Sequence, residues 1–235
     1  MPPSPICPPV CNVVHLGLVE YRRAWDLQLQ VAQGVREGRR PNTLLLLEHP
    51  PVYTVGRLSP AEHLRLTPRE MAERGIAVVE TDRGGQVTFH GPGQLVAYPV
   101  VDLRQWGGPL KYVRTLEQAI IGTLADLGIA GELAPGLTGV WVGGAKIAAI
   151  GVKISGGVAH HGFAINVNTD LTYFDHIVPC GIGDRPVTSM SQVLGEPVPM
   201  DQVRYSAAYQ FGRVMGFHMT EAEPDTELAA LLSVV

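Results

Sequence analysis

The chain has 235 residues, 46% hydrophobic and 17% charged, with a formal net charge of -4. Those proportions fit a globular protein with a sizeable core, in one large mixed domain or two small ones. The mild acidity, with no basic stripe to neutralise phosphates, excludes a nucleic-acid surface, and no apolar run is long enough for a membrane span.

Three cysteines cannot build a disulfide framework, which points to a reducing cytoplasm. Cys7 and Cys11 fall in a proline-rich leader, residues 1–12, expected to be flexible and lacking the features of a signal peptide. Arg22, Arg23, Arg36, Arg39 and Arg40 form the cluster dense enough to suggest a basic patch.

In chain order, Val13 to Leu18 reads as a strand, and from Val19 the pattern turns helical, with Ala24, Leu27, Val31 and Val35 on one face up to Gly38. Thr43 to Glu48 contains four consecutive leucines and suits a strand buried on both faces; His49-Pro50-Pro51 stops it, and Val52 to Val55 resumes. Thr67-Pro68-Arg69-Glu70 is a capping box with proline at the first helical position, and Gly75 fits the position past the end. Ile76 to Glu80, Gln86 to His90 and Gln94 to Val101 read as strands around the turn 82–85 and Gly91-Pro92-Gly93. Lys111 to Leu127 has a clear helical period closed by Gly128. Val140 to Val142 and Lys146 to Ser155 flank Gly143-Gly144 as a hairpin, His160 to Asn168 is a further strand, and Met200 to Met215 is the last helix. Residues 218–235 read as an acidic tail. Helices at intervals among many strands predict a single α+β domain on a mixed or antiparallel central sheet, rather than a doubly wound one.

The segment Arg83 to Gln94 crowds glycines and prolines among Arg83, Gln86, Thr88, His90 and Gln94, a backbone that lets a ligand approach closely. Gly139, Gly144 and Lys146 miss the P-loop pattern, because Ala145 separates glycine from lysine and Ile147 stands where a Ser or Thr is needed. Gly91-Pro92-Gly93 lacks the third glycine of a dinucleotide fingerprint. His160-His161 with Cys180 and His90 or His49 lack a further ligand for zinc, and adjacent strand histidines point to opposite faces, so no metal is expected. Pro179-Cys180-Gly181 places Cys180 on a turn, as a small packing residue or as a presented thiol. Lys146 opens a strand of small and apolar residues. It is either solvated or a cation that favours the Cys180 thiolate and carries its proton.

Arg83 to Gln94, Gly144 to Gly151, His161 to Asn166, Pro179-Cys180-Gly181 and Leu47-Glu48-His49-Pro50 together resemble the octanoyl-[acyl-carrier-protein]:protein octanoyltransferases, from about Val13 to about Phe217. The resemblance implies one catalytic domain over residues 13–217, with the fold of lipoate-protein ligases and of the biotin protein ligase catalytic domain. It implies transfer of octanoyl from acyl carrier protein to a lysine of lipoyl domains or of the glycine-cleavage H protein, with no cofactor. Cys180 would carry the acyl group as a thioester and Lys146 would activate it. The acyl-binding segments would be Arg83, Gly84, Gly85, Gln86, Val87, Thr88, Phe89 and His90; Ala149, Ile150 and Gly151; and Gly162, Phe163 and Ala164, with His49 and His161 in support. Val87, Phe89, Ile150 and Phe163 are expected to wall an apolar tunnel. The basic residues Arg22 to Arg40, or Arg57, Arg65 and Arg69, would meet the acidic carrier. An ATP-dependent lipoate ligase and a non-catalytic acyl-binding protein are the alternatives.

Overall fold

The computed structural model describes residues 8–59, 63–177, 185–225 and 229. Its frame is a seven-stranded mixed sheet of β1 (Val10–Leu18), β2 (Asn42–Glu48), β6 (Gln94–Asp102), β7 (Val140–Val142), β8 (Ala145–Ser155), β9 (Val158–Asn166) and β10 (His218–Glu221). The strand order is β10-β1-β2-β6-β9-β8-β7; β10, β1 and β2 run parallel, and the remaining pairs are antiparallel. A smaller sheet of β3 (Val52–Val55), β4 (Ala77–Glu80) and β5 (Thr88–His90) has the order β4-β3-β5.

The run of leucines shows how the layers are chosen. Successive strand residues face opposite sides, so Leu44 and Leu46 pack with α3 (Pro109–Asp126) and α5 (Met200–Met215), while Leu45 and Leu47 pack with α1 (Tyr21–Arg36). All four are fully buried. The α3 and α5 face holds Tyr112, Leu116, Ile120, Leu124, Val203, Ala207 and Phe211; the opposite core holds Ala24, Leu27, Val31 and Val35. The second sheet has a core of its own around Tyr53, Val87 and Phe89, closed by α2 (Pro68–Glu73) and a 3₁₀ helix over Leu171–His176.

Local chemistry sets the element ends. Thr67 and Glu70 form the expected reciprocal cap on α2. Gly143 and Gly144, with φ of +55° and +79°, make the two-residue β7–β8 turn that needs positive φ twice.

Two expectations at the termini are corrected. Cys11 is fully buried in β1, its thiol pushed up to about 12 by burial, so the sheet begins inside the supposed flexible leader. His218–Glu221 forms β10 beside β1, so the fold continues past Phe217 into the stretch read as a tail. Cys7 lies outside the described residues.

Candidate active site

The site lies on the face of β8 and β9 away from α3 and α5. The two strands pair Ala149 with Ala164, Gly151 with Gly162 and Lys153 with His160. At the alternate positions Ile150, Val152, Phe163 and Ile165 pack toward the α3–α5 core. The alternation therefore leaves a lane of alanine and glycine on the other face, where almost no side-chain volume fills the space above the sheet. A cavity occupies that lane, closed by Arg83, Gly85, Thr88 and His90 from the second sheet and by Tyr21, Val96 and Tyr98.

Thr88, Ala149 and Ala164 also line a second cavity, whose other walls include Gln94, Lys146, Asn166, Phe174 and Val187. The two cavities thus abut at the alanine pair. Lys146 is buried, its ammonium 5.2 Å from the centre of the Trp141 ring. Its backbone N–H donates to Pro186 O at 2.8 Å, and its carbonyl accepts from Thr188 N at 2.9 Å. Beside it a chain of amides has one allowed direction. Asn166 Nδ2 donates to Thr188 O, Gln94 Nε2 donates to Phe89 O and Asn166 Oδ1, and Gln94 Oε1 accepts from His90 Nδ1 at 2.7 Å. His90 therefore carries its hydrogen on Nδ1. Burial holds it neutral, its pKa well below the ordinary histidine value.

The far wall is polar and equally directed. His49 Nδ1 donates to Val19 O at 2.7 Å, so its Nε2 accepts from the Tyr98 hydroxyl at 2.8 Å. Burial pushes the His49 pKa down to about 4 and raises that of Tyr21 to about 12. Arg83 donates to Thr54 Oγ1, Thr54 O and Gly84 O, which ties the glycine-rich segment to β3. Glu48 accepts from Gly93 N and from Arg204, so the Glu48-His49 pair fixes both the Gly91–Gly93 turn and Tyr98.

His161 departs from the strand rule. Its φ is +54°, in the left-handed region, the only such non-glycine residue among those described. Its N–H leaves the ladder to donate to Gln28 Oε1 at 2.7 Å, and its Nε2 donates to Asp82 Oδ1 at 2.8 Å. The expectation that His160 and His161 face opposite ways is thus corrected: the rings lie 5.0 Å apart on one side. Asp82, His160 and His161 are the one cluster with metal-ligand spacing among the described residues. Lys153 Nζ lies 3.0 Å from Asp82 Oδ2 and His161 takes Oδ1, so the carboxylate is engaged by an ammonium and an imidazole. Burial lowers the His161 pKa to about 4.

Of the residues expected to bind acyl, Arg83, Gly85, Thr88, His90, Ala149, Ile150, Gly151, Gly162, Phe163 and Ala164 line the main cavity, as does His161. Val87 and Phe89 do not. Thr88 and His90 take the inner face of β5, which leaves Val87 and Phe89 in the second sheet's core, where Phe89 stacks on Tyr173 at 4.4 Å. Gly84 and Gln86 shape the loop by backbone contacts, Gly84 N donating to Val152 O and Gln86 O accepting from Gly56 N. His49 stands behind Tyr98 rather than in the wall. Cys180 lies outside the described residues. Sequence reasoning missed Tyr21, Tyr98 and Asp82. Tyr21 and Tyr98 were hidden in ordinary helix and strand patterns, and Asp82 was assigned to a turn.

The model of the lipoyl protein ligase A/B catalytic domain matches residues 20–212. The chain belongs to that family. A protein named octanoyltransferase from Acidobacterium capsulatum is 47% identical, covering 96% of this chain and 98% of its own. One of the same name from Chloroflexus aggregans is 53% identical over 82% of this chain and 89% of its own. Family membership together with such relatives makes the chain an acyltransferase. A lipoate-protein ligase A crystallised with ATP superposes with a TM-score of 0.78 at 18% identity, covering 95% and 92% of the two chains. Biotin protein ligase from Aquifex aeolicus reaches 0.55 at 14% identity, over 87% and 70%. These two likenesses bear out the expected fold.

Proposed function

We propose that the protein transfers an octanoyl group from acyl carrier protein to a specific lysine of lipoyl domains and of the glycine-cleavage H protein, through a thioester on Cys180 activated by Lys146. The observation that carries this reading is the abutment of a lysine-lined cavity and an apolar lane floored by Ala149, Ala164, Gly151 and Gly162. The residues flanking the cysteine segment support it: Phe174 and Val187 line the Lys146 cavity, and Pro186 O accepts from Lys146 N.

In the first half-reaction the Cys180 thiolate attacks the carrier thioester. The new C–S bond forms as the old one breaks, and the carrier thiol leaves with a proton from Lys146. In the second, the acceptor lysine attacks octanoyl-Cys180, passes a proton to the now neutral Lys146, and restores the cysteine. Thioester for thioester is nearly balanced, amide formation drives the sum, and ATP is not consumed. Lane burial favours the chain by about 0.8 kcal/mol per CH₂.

Of the two basic surfaces expected to meet the carrier, the one around Arg57, Arg65 and Arg69 fits. Arg65 N donates to His176 O and its guanidinium to Asp175 O, on the helix whose Phe174 lines the Lys146 cavity. Arg36 instead donates to Ser155 O, nine residues from Lys146 along β8, about 30 Å. Arg39 pairs with Glu37 and Arg40 with Asp225.

The test is transfer with purified components: a lipoyl domain incubated with octanoyl-carrier protein and the enzyme, without nucleotide, gains one octanoyl mass. Modification that requires ATP and free acid would replace this reading with a ligase.

A further inference from the structure

The alanine–glycine lane has a definite end. Along β9 it runs from Asn166, in the Lys146 cavity, to Gly162, four residues or about 13 Å. At the next paired position the floor changes to Lys153 and His160, and the lane is shut by Tyr21, Tyr98, Arg83 and His161. Three of the four wall groups are fixed from behind, and the Tyr21 hydroxyl is buried against them. The Tyr98 hydrogen goes to His49, the Arg83 guanidinium to Thr54 and Gly84 O, and the His161 ring to Asp82.

His161 is the most telling, because it stands in a left-handed conformation that histidine adopts only against a cost. Three contacts hold it there: Gln28 on its N–H, Asp82 on its ring, and Trp25 at 5.6 Å between ring centroids. An ordinary strand residue at 161 would point into the α3–α5 core and leave the lane open. The turned backbone instead sets an imidazole across its end.

We propose that this wall measures the acyl chain, with His161 and Tyr21 as the residues that reject chains longer than the lane. The inference rests on reading the lane as the octanoyl groove. A longer chain would press methyl and methylene groups against the buried Tyr21 ring and against Tyr98, His161 and Arg83, which cannot retreat without leaving their own partners unpaired. A methylene that a pocket cannot take changes kcat/KM by about 10–200-fold.

The test uses the full-length enzyme, a lipoyl domain, and carrier protein charged with hexanoyl, octanoyl, decanoyl or dodecanoyl chains. The wild type is expected to prefer octanoyl to dodecanoyl by about 10-fold or more. His161→Ala opens the end and raises the dodecanoyl-to-octanoyl ratio by about 10-fold. Tyr21→Phe removes only a hydroxyl that faces Tyr98 without a hydrogen bond of normal geometry, so it keeps the fold and raises the same ratio less. Gly151→Ala acts oppositely: its Cβ would lie 3.2 Å from Arg83 Cδ and 3.0 Å from Gly84 O, which shortens the lane and favours hexanoyl. Octanoyl transfer with unchanged chain-length ratios in His161→Ala and Tyr21→Phe overturns the ruler. No transfer of any chain by the wild type overturns the octanoyltransferase reading instead.

Discussion

The two faces of β8 and β9 share one hydrogen-bond ladder and do opposite things. Toward α3 and α5 they present Ile147, Phe163 and Ile165, all but fully buried in a filled core. Toward α1 and the second sheet they present Ala149, Ala164, Gly151 and Gly162, and the space above them is a cavity. A strand becomes a binding surface here by omitting side chains on alternate positions. The contrast holds in polarity too: the filled face is almost wholly apolar, whereas the open face is rimmed by His90, Tyr98, Arg83 and His161, each directed by a partner of its own.

Substitutions on the two faces should have different consequences. The largest effect is expected at Lys146→Met, which keeps the stem and removes the amine. Transfer should fall by about 10²–10⁴-fold, the share of a general acid–base group, with unfolding unchanged. Turnover at the wild-type rate would remove Lys146 from the chemistry.

Next are paired changes on β9. Ile165→Ala, on the filled face, should cost about 2–5 kcal/mol of stability in denaturant titrations. Ala164→Leu, on the open face, should instead abolish octanoyl transfer by filling the passage between the cavities. Equal loss of stability and activity in both variants would erase the distinction between the faces.

Acid should find the open side first. His49 and His161 have folded pKa values of about 4 against 6.5 unfolded, both lowered chiefly by burial. The unfolded chain therefore binds more protons in that window. The stability these histidines contribute is fully present above pH 6.5 and lost as pH falls toward 4, about 2 kcal/mol for each at pH 5. Urea titrations at neutral and mildly acidic pH check this, and a flat profile would contradict it. The smallest effect is at the docking surface. Arg65→Glu with Arg69→Glu should raise KM for the carrier several-fold and weaken its salt dependence, while Arg36→Glu should leave both unchanged.

Much of the frame was legible in the sequence because its signals are local. The capping box at Thr67, the Gly143-Gly144 turn and the four leucines of β2 each fix an element through near neighbours. What stayed hidden depends on long-range contacts. β10 is four residues whose pairing is with β1, some two hundred positions earlier, so nothing nearby marks it as a strand. Val87 and Phe89 looked like cavity walls because they sit in the right segment, and only the facing of β5 against the 3₁₀ helix sends them into the second core. The turned backbone at His161 needs Gln28, 133 residues away, to hold it. The cavity residues most visible in advance were those on the glycine-rich segment, where composition itself betrays a close approach.

The most direct test of the proposed mechanism is peptide mass spectrometry of the enzyme mixed with octanoyl-carrier protein and no acceptor. One octanoyl group is expected on the peptide containing Cys180, lost in Cys180→Ser and released when a lipoyl domain is added. A peptide without the adduct during active transfer, or an adduct that persists in Cys180→Ser, would contradict it.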